Sequence, residues 1–211
     1  MKIAVIGATG GIGQKVVEQA LEKGHEVIAI SRGVQALLIT DERLEKRPAD
    51  ASNVESIKNA IDGADVVVSA LGTNIIKQPT TVCSDGITNI ISAMQALSLK
   101  RRLIAVGAAG YVNHPKQTFL VDFLQKYLAQ KFLRYIFDDL MQMEAVIRTS
   151  DLDWTVVRPP RLTNGKHTRK YRENDEIVIG GLSISRADVA DFIVSHLTDE
   201  KTFRKEIGVA Y

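Results

Sequence analysis

Gly7, Gly10 and Gly13 stand within "GATGGIG", directly after the apolar run "KIAVI" and ahead of the amphipathic "GIGQKVVEQALEKG". A strand that turns through glycines into a helix presents bare backbone N–H groups and the positive end of the helix dipole, a setting for a pyrophosphate. Gly7 permits the sharp turn, Gly10 lets N–H groups approach the anion, and Gly13 lets the helix pack closely on the strand. The end of the next apolar run, "EVIAIS" (26–31), refines this chemistry. An NAD site usually carries a carboxylate there for the ribose 2′-hydroxyl; this chain has Ser31 and Arg32, and Asp41 and Glu42 lie too far along. A hydroxyl and a guanidinium suit a 2′-phosphate, so the expected cofactor is NADPH, with a solvated surface charge as the other reading of Arg32. Asp50, with Ala51 beside it, follows the third expected strand, where a carboxylate could accept from the adenine amino group. "SALGT" (69–73), with Ala70, Leu71, Gly72 and Thr73, leaves room for ribose and pyrophosphate, as a merely tight turn also would.

Proton chemistry is sparse. The stretch "IAVGAAGYVNHP" (104–115) reads as a strand running into a tip of Gly107, Ala108, Ala109 and Gly110, none with a side chain that could move a proton. Tyr111 and His114 are the nearby groups that could, and each either orients a substrate or simply sits on a loop. Tyr127 and Lys131 have the Tyr-x-x-x-Lys spacing that lets a lysine lower a tyrosine pKa. Yet Phe119, Phe123 and Tyr127 recur every four residues, a stripe that buries one helix face. Residues 119–137 hold half of the chain's aromatic side chains. That concentration calls for a large contact: a packed insertion, a dimer surface, or a lid over a planar ligand.

The elements that must position these residues alternate. Strands are expected at 2–6, 26–31, 44–50, 64–72, 102–107 and 153–160, with helices between them. A capping box of Ser52 and Glu55 starts the second helix, and Pro79 opens a long third helix over 79–99. Gly24 suits a helix C-cap. Apolar strands without polar alternation, interleaved with helices, predict an α/β fold with a doubly wound parallel sheet covered on both faces. From Arg161 a small C-terminal lobe is expected, with a strand "EIVIG" (176–180), a helix capped by Ser185, and an edge strand "EIGVAY" (206–211). We expect one domain over 1–211, since 211 residues suffice for one well-buried α/β core.

Composition narrows the classes. With 45% hydrophobic and 25% charged residues the chain reads as soluble and globular, and a net charge of +2 is too small to imply nucleic acid. The run "KHTRKYR" (166–172) reads as a solvated loop. One cysteine, Cys83, suits a reducing cytosol, and the start of the chain reads as a strand rather than a signal peptide. His25, His114, His167 and His196 lack metal-ligand spacing, so no metal is expected. A cytoplasmic monomer or homodimer that touches neither membrane nor nucleic acid is the expectation.

Together, "GATGGIG", "ISR", "VVSALGT" with "PTTVCSDGITNIISAM", "MEAVIRTSDLDWTVVRPPRL" and "ISRADVADFI" resemble the short-chain dehydrogenase/reductase superfamily. The resemblance lies in its atypical NAD(P)H-binding, NmrA-like branch, and especially its flavin- and biliverdin-reducing members. It covers most of the chain; "LGT…PTTV…G…NI…AM" is its most specific part. It implies that Gly7, Thr9, Gly10, Gly11, Ile12 and Gly13 form the pyrophosphate loop and that Arg32 meets the 2′-phosphate. It further implies Asp50 on the adenine side, Leu71, Gly72 and Thr73 as the ribose wall, and Pro159, Pro160, Arg161 and Leu162 beside the nicotinamide. In two places the chain departs from those reductases: Gly107 and Ala108 replace a Thr-Ser pair, and Glu144 replaces a histidine. If Glu144 is also the counterpart of the family's dyad-helix glutamate, the dyad falls on Ile136 and Leu140, which cannot act. Hydride addition to a conjugated ring spreads the new charge and lets solvent supply the proton, so a plain tip suits a flavin, quinone or tetrapyrrole acceptor. A non-catalytic NADP(H)-sensing regulator of the NmrA-like type is the alternative.

Overall fold

The computed structural model describes residues 1–98, 102–112 and 130–211. His114, Phe119, Phe123 and Tyr127 therefore lie outside the described residues. Five helices appear among the described residues: α1 Gly11–Glu22, α2 Val54–Ile61, α3 Val82–Ala96, α4 Gln130–Thr149 and α5 Arg186–Ser195. Strands β1 Lys2–Ile6, β2 Glu26–Ser31, β3 Leu44–Pro48, β4 Val66–Ser69, β5 Arg102–Val106 and β6 Asp153–Arg158 belong to one sheet, together with β8 Arg172–Asp175 and β10 Lys205–Ala210. Its order is β3-β2-β1-β4-β5-β6-β10-β8, parallel except for the β10–β8 pair. β7 Arg161–Thr163 and β9 Ser183–Ser185 make a separate parallel ladder. The fold is a doubly wound, Rossmann-like α/β sheet.

Strand side chains alternate between two cores. Ile3 and Val5 of β1 pack with Val16, Val17, Val189 and Phe192 under α1 and α5. Ala4 and Ile6 face the opposite way, toward Ile57, Ile87, Ile90, Met143 and Ile147 of α2, α3 and α4. Because the strand order reverses at β1, pairing it with both β2 and β4, a crevice opens beyond the carboxyl ends of β1 and β4. No described helix is long and apolar enough to cross a membrane.

Several local expectations hold. Gly24 takes φ +82° just past α1 and its N–H donates to Leu21 O at 2.9 Å. Ser185 caps α5, its hydroxyl accepting from the Asp188 N–H at 3.0 Å. Others are corrected. Asn53, not Ser52, caps α2: its carboxamide oxygen accepts from the Ser56 N–H at 3.0 Å, while the Ser52 N–H is taken by Asp50 Oδ1. The third helix begins at Val82 rather than Pro79, because Asp139 of α4 accepts from the Cys83 and Ser84 N–H groups at 2.9 and 2.8 Å and fixes the first turn there. "EIVIG" is not a strand. Glu176 turns through φ +66°, so the strand is the preceding "REND", and Ile177 crosses β10 against Gly208, where a Cβ would strike the Ile177 backbone. β8 thus covers β10, which lies inside the sheet rather than at its edge.

Candidate cofactor cleft

The turn from β1 into α1 has no room for a side chain at Gly7 or Gly13. Gly7 holds φ +82°, and a Cβ there would come within 2.5 Å of Ala70 O; one on Gly13 would fall on the Gly7 carbonyl oxygen. Gly10 occupies the N-cap in extended conformation with no side-chain cap, and the first backbone bond of the helix is Gln14 N–H to Gly10 O at 2.9 Å. The N–H groups of Gly11, Ile12 and Gly13 therefore precede the helical ladder, which leaves them for a ligand. The N-terminus of α3 lines the same crevice through Thr81, Val82 and Cys83, but Asp139 closes it. Of these two helix ends, the one at α1 is open to an anion.

The crevice is a cleft of about 930 Å³. Thr9, Gly10, Gly11 and Ile12 form one side with Gly7; Ser31, Arg32, Asp50 and Ala51 form the next, and Ala70, Leu71, Gly72 and Thr73 the floor. Gly107, Ala108 and Leu162 close the far end. Gly13, Pro159, Pro160 and Arg161 do not line it: Gly13 packs α1 on the loop, and the Pro159 carbonyl accepts from the Ala109 N–H at 2.9 Å, holding the tip from behind. Arg32 is exposed and makes no hydrogen bond or ion pair among the described residues. The Ser31 hydroxyl beside it is buried without a hydrogen-bond partner among the described residues. Asp50 is held below the usual carboxylate range by the Ser52 N–H and by the charge of Arg32, so it stays ionised on the cleft wall.

Behind the tip lies a closed ionic network. Tyr111 donates to Glu144 Oε1 at 2.5 Å; Arg158 donates to both Glu144 oxygens, at 3.0 and 2.6 Å, and Arg148 to Oε2 at 2.9 Å. Glu144 is 1% exposed. Burial and the neighbouring Glu144 charge push the Tyr111 hydroxyl well up from its ordinary pKa, and Tyr111 does not line the cleft. A Cβ on Gly107 would sit 2.9 Å from Glu144 Oε1 and 3.1 Å from the Tyr111 hydroxyl, and one on Gly110 would sit 2.7 Å from Phe137 Cζ. Gly107 is therefore matched to Glu144 and Tyr111, and Gly110 to Phe137. The Cys83 thiol, buried against Asp139, is pushed up to about 12.

A family model described as NAD(P)H-binding matches residues 7–200. The chain belongs to this NAD(P)H-binding family. Among similar proteins, the reductase pytE of Aspergillus terreus is 26% identical over 241 residues, covering 92% of this chain and 90% of its own. A short-chain dehydrogenase/reductase of Veillonella parvula, solved in complex with NADP, superposes with a TM-score of 0.81 at 22% identity, covering 100% of this chain and 94% of that one. The anaerobilin reductase ChuY of Escherichia coli O157:H7 superposes with a TM-score of 0.76 at 21% identity, covering 100% and 97%. The two structures share the fold.

The residues present fit an NAD(P)H molecule on three counts: an uncapped helix end framed by glycines, an orphaned buried hydroxyl beside an unengaged guanidinium, and a long cleft at the reversal of strand order. Sequence reasoning names no individual residue for part of the lining, although a lid over a planar ligand is one expectation for 119–137, the stretch that holds Ile136 and Phe137. Ile136, Phe137 and Leu140 of α4 form an apolar wall near the tip, and Arg186 enters from the first turn of α5. The i, i+4 recurrence of Ile136 and Leu140 was a usable signal for a buried face. Arg186 lies within "ISRADVADFI", one of the stretches that carry the resemblance, but nothing in its spacing assigns it to the cleft.

Proposed function

We propose that the protein is an NADPH-dependent oxidoreductase that delivers hydride to a planar conjugated acceptor, a flavin, quinone or tetrapyrrole. Reduced nicotinamide, when bound, supplies the hydride. Gly7 to Ile12 hold the diphosphate against backbone N–H groups, Ser31 and Arg32 hold the 2′-phosphate, and Asp50 and Ala51 face the adenine. Gly72 and Thr73 flank the ribose, and Gly107, Ala108 and Leu162 flank the reacting end.

One observation carries the choice of acceptor. The wall formed by Val106, Gly107, Ala108, Ile136, Phe137, Leu140 and Leu162 has only apolar side chains or none, and the nearby Tyr111 hydroxyl is spent on Glu144. A ketone reduced there would leave a localised alkoxide with no acid in place among the described residues, whereas a conjugated ring disperses the charge and takes its proton from water. What these residues contribute is positioning and the exclusion of water around a flat ring. The likeness to flavin- and biliverdin-reducing enzymes, and the reductase among the relatives, point the same way.

The test is to mix the purified protein with NADPH and, in turn, FMN, a benzoquinone and biliverdin, following the nicotinamide absorbance. Steady consumption with at least one acceptor is expected. Tight NADPH binding without turnover on any of them overturns the enzyme reading in favour of the NADP(H)-sensing regulator, which the same proton-poor wall would also suit.

A further inference from the structure

Arg186 is the first residue of α5, immediately after the Ser185 cap. A cation is electrostatically misplaced at the positive end of a helix, so the fold gains nothing locally from an arginine there. Its side chain reaches across to the glycine loop. A Cβ on Gly11 would lie 2.7 Å from Arg186 Cδ and 2.8 Å from Nε, so the arginine lies flat on the first residue of α1. Arg186 Nη1 donates to Asn164 Oδ1 at 2.8 Å, and among the described residues no carboxylate pairs with the guanidinium. Two sets of donors thus converge from different elements: the free N–H groups at the start of α1 and the guanidinium. Like-signed groups brought together with no carboxylate on either among the described residues call for an anion in that space.

We propose that Arg186 is a diphosphate clamp, a binding residue contributed by the C-terminal part of the chain that grips the bridging phosphates of the dinucleotide against the start of α1, with Asn164 positioning its guanidinium. This rests on the cofactor reading above. The diphosphate is the choice over the 2′-phosphate because Arg186 lies on Gly11, whereas Ser31 and Arg32 stand apart at the end of β2. Gly11 gains a reason of its own: any side chain there would push the arginine off the loop.

Calorimetry with NADP⁺, NAD⁺ and 2′-AMP on the wild type, Arg186→Gln and Gly11→Ala separates the cases. A lost charge-assisted contact should weaken NADP⁺ and NAD⁺ by a similar factor, about tenfold or more, in Arg186→Gln, and leave 2′-AMP within about twofold. Gly11→Ala, whose backbone an alanine can adopt, should reproduce that pattern more weakly; circular dichroism checks that both variants are folded. An Arg186→Gln protein that binds NAD⁺ like the wild type overturns the clamp, as does a loss confined to NADP⁺ and 2′-AMP, which would make Arg186 a reader of the 2′-phosphate. A wild type that takes up neither dinucleotide overturns the cofactor reading itself, and the clamp with it.

Discussion

Charged and polar side chains gather at two places around the cleft, and they are arranged in opposite ways. Behind the tip, Glu144, Arg158, Arg148, Glu206 and Tyr111 answer one another: Arg158 spans both oxygens of Glu144, and Arg148 bridges Glu144 to Glu206 at 2.9 and 2.5 Å. At the entrance, Arg32 and the Ser31 hydroxyl have no hydrogen-bond partner among the described residues, and the start of α1 has no side-chain cap. A closed set stabilises a shape, since every group lost from it strands a buried partner. An open set is unfinished until a ligand arrives, and its cost in the free protein points to what it binds. Abundance of charge alone would have ranked the two regions the other way.

The comparison breaks most visibly at Glu144. Glu144→Ala leaves Arg158, itself 5% exposed, without its bidentate partner. Burial works against that guanidinium's charge, and Glu144 with Glu206 is what holds its pKa above the ordinary value. A loss of about 3–5 kcal/mol is expected from urea denaturation, with nucleotide affinity of the folded protein little changed. Arg32→Ala should do the reverse. Folding stability stays within about 0.5 kcal/mol, as for an exposed charge, while NADPH affinity falls by about 1.5–3 kcal/mol and NADH affinity hardly moves. Equal losses for both nucleotides, measured by calorimetry, would remove the 2′-phosphate role.

A second closed set, around Asp188, sharpens the contrast through pH. Burial alone would raise this carboxyl's pKa, but hydrogen bonds from the Tyr211 hydroxyl at 2.6 Å, the Arg169 N–H at 2.9 Å and Thr168 outweigh it and hold the pKa below the usual carboxylate range. A depressed folded-state pKa stabilises the fold at pH values above the unfolded pKa, and that stability is lost as pH falls through the folded value. Thermal unfolding between pH 6 and pH 3 should therefore fall more steeply for the wild type than for Asp188→Asn. Parallel profiles would mean that the hydrogen bonds around Asp188 contribute nothing to acid sensitivity.

What was legible in the sequence follows from the range of the interactions involved. The demands at Gly7 and Gly13 are set within one strand–turn–helix, so spacing alone revealed them, and the missing carboxylate after β2 was equally local. The parallel sheet was readable because buried strands carry unbroken apolar runs. The start of α3 was not, because the residue that fixes it, Asp139, lies 56 positions from Cys83. "EIVIG" has the composition of a strand, yet Ile177 and Val178 are buried by a turn against Gly208 rather than by pairing. Ser52 and Asn53 are both good caps, and only the fold chooses between them. Glu144 could be recognised as a departure from the family pattern, but its partners Arg158 and Tyr111 come from other elements.

Tyr111 gives the smallest expected effect and the most pointed one. As a phenol beside the tip it invites a role as proton donor, and a donor lost from a reacting site lowers the rate by about 10²–10⁴-fold. Its hydroxyl instead points at Glu144, and burial with the adjacent negative charge moves its ionisation far above the working range. Phe at this position removes the bond to Glu144 and the long one accepted from the Ala108 N–H at 3.5 Å, while Glu144 keeps both of its arginines. Tyr111→Phe should cost about 1 kcal/mol of stability. NADPH oxidation with the best acceptor should then change less than about threefold, far below the range for a lost general acid or base, and its pH profile should keep its shape. A hundredfold loss with a vanished alkaline limb would place Tyr111 in the open set with Arg32, and the apolar wall would no longer account for the choice of acceptor.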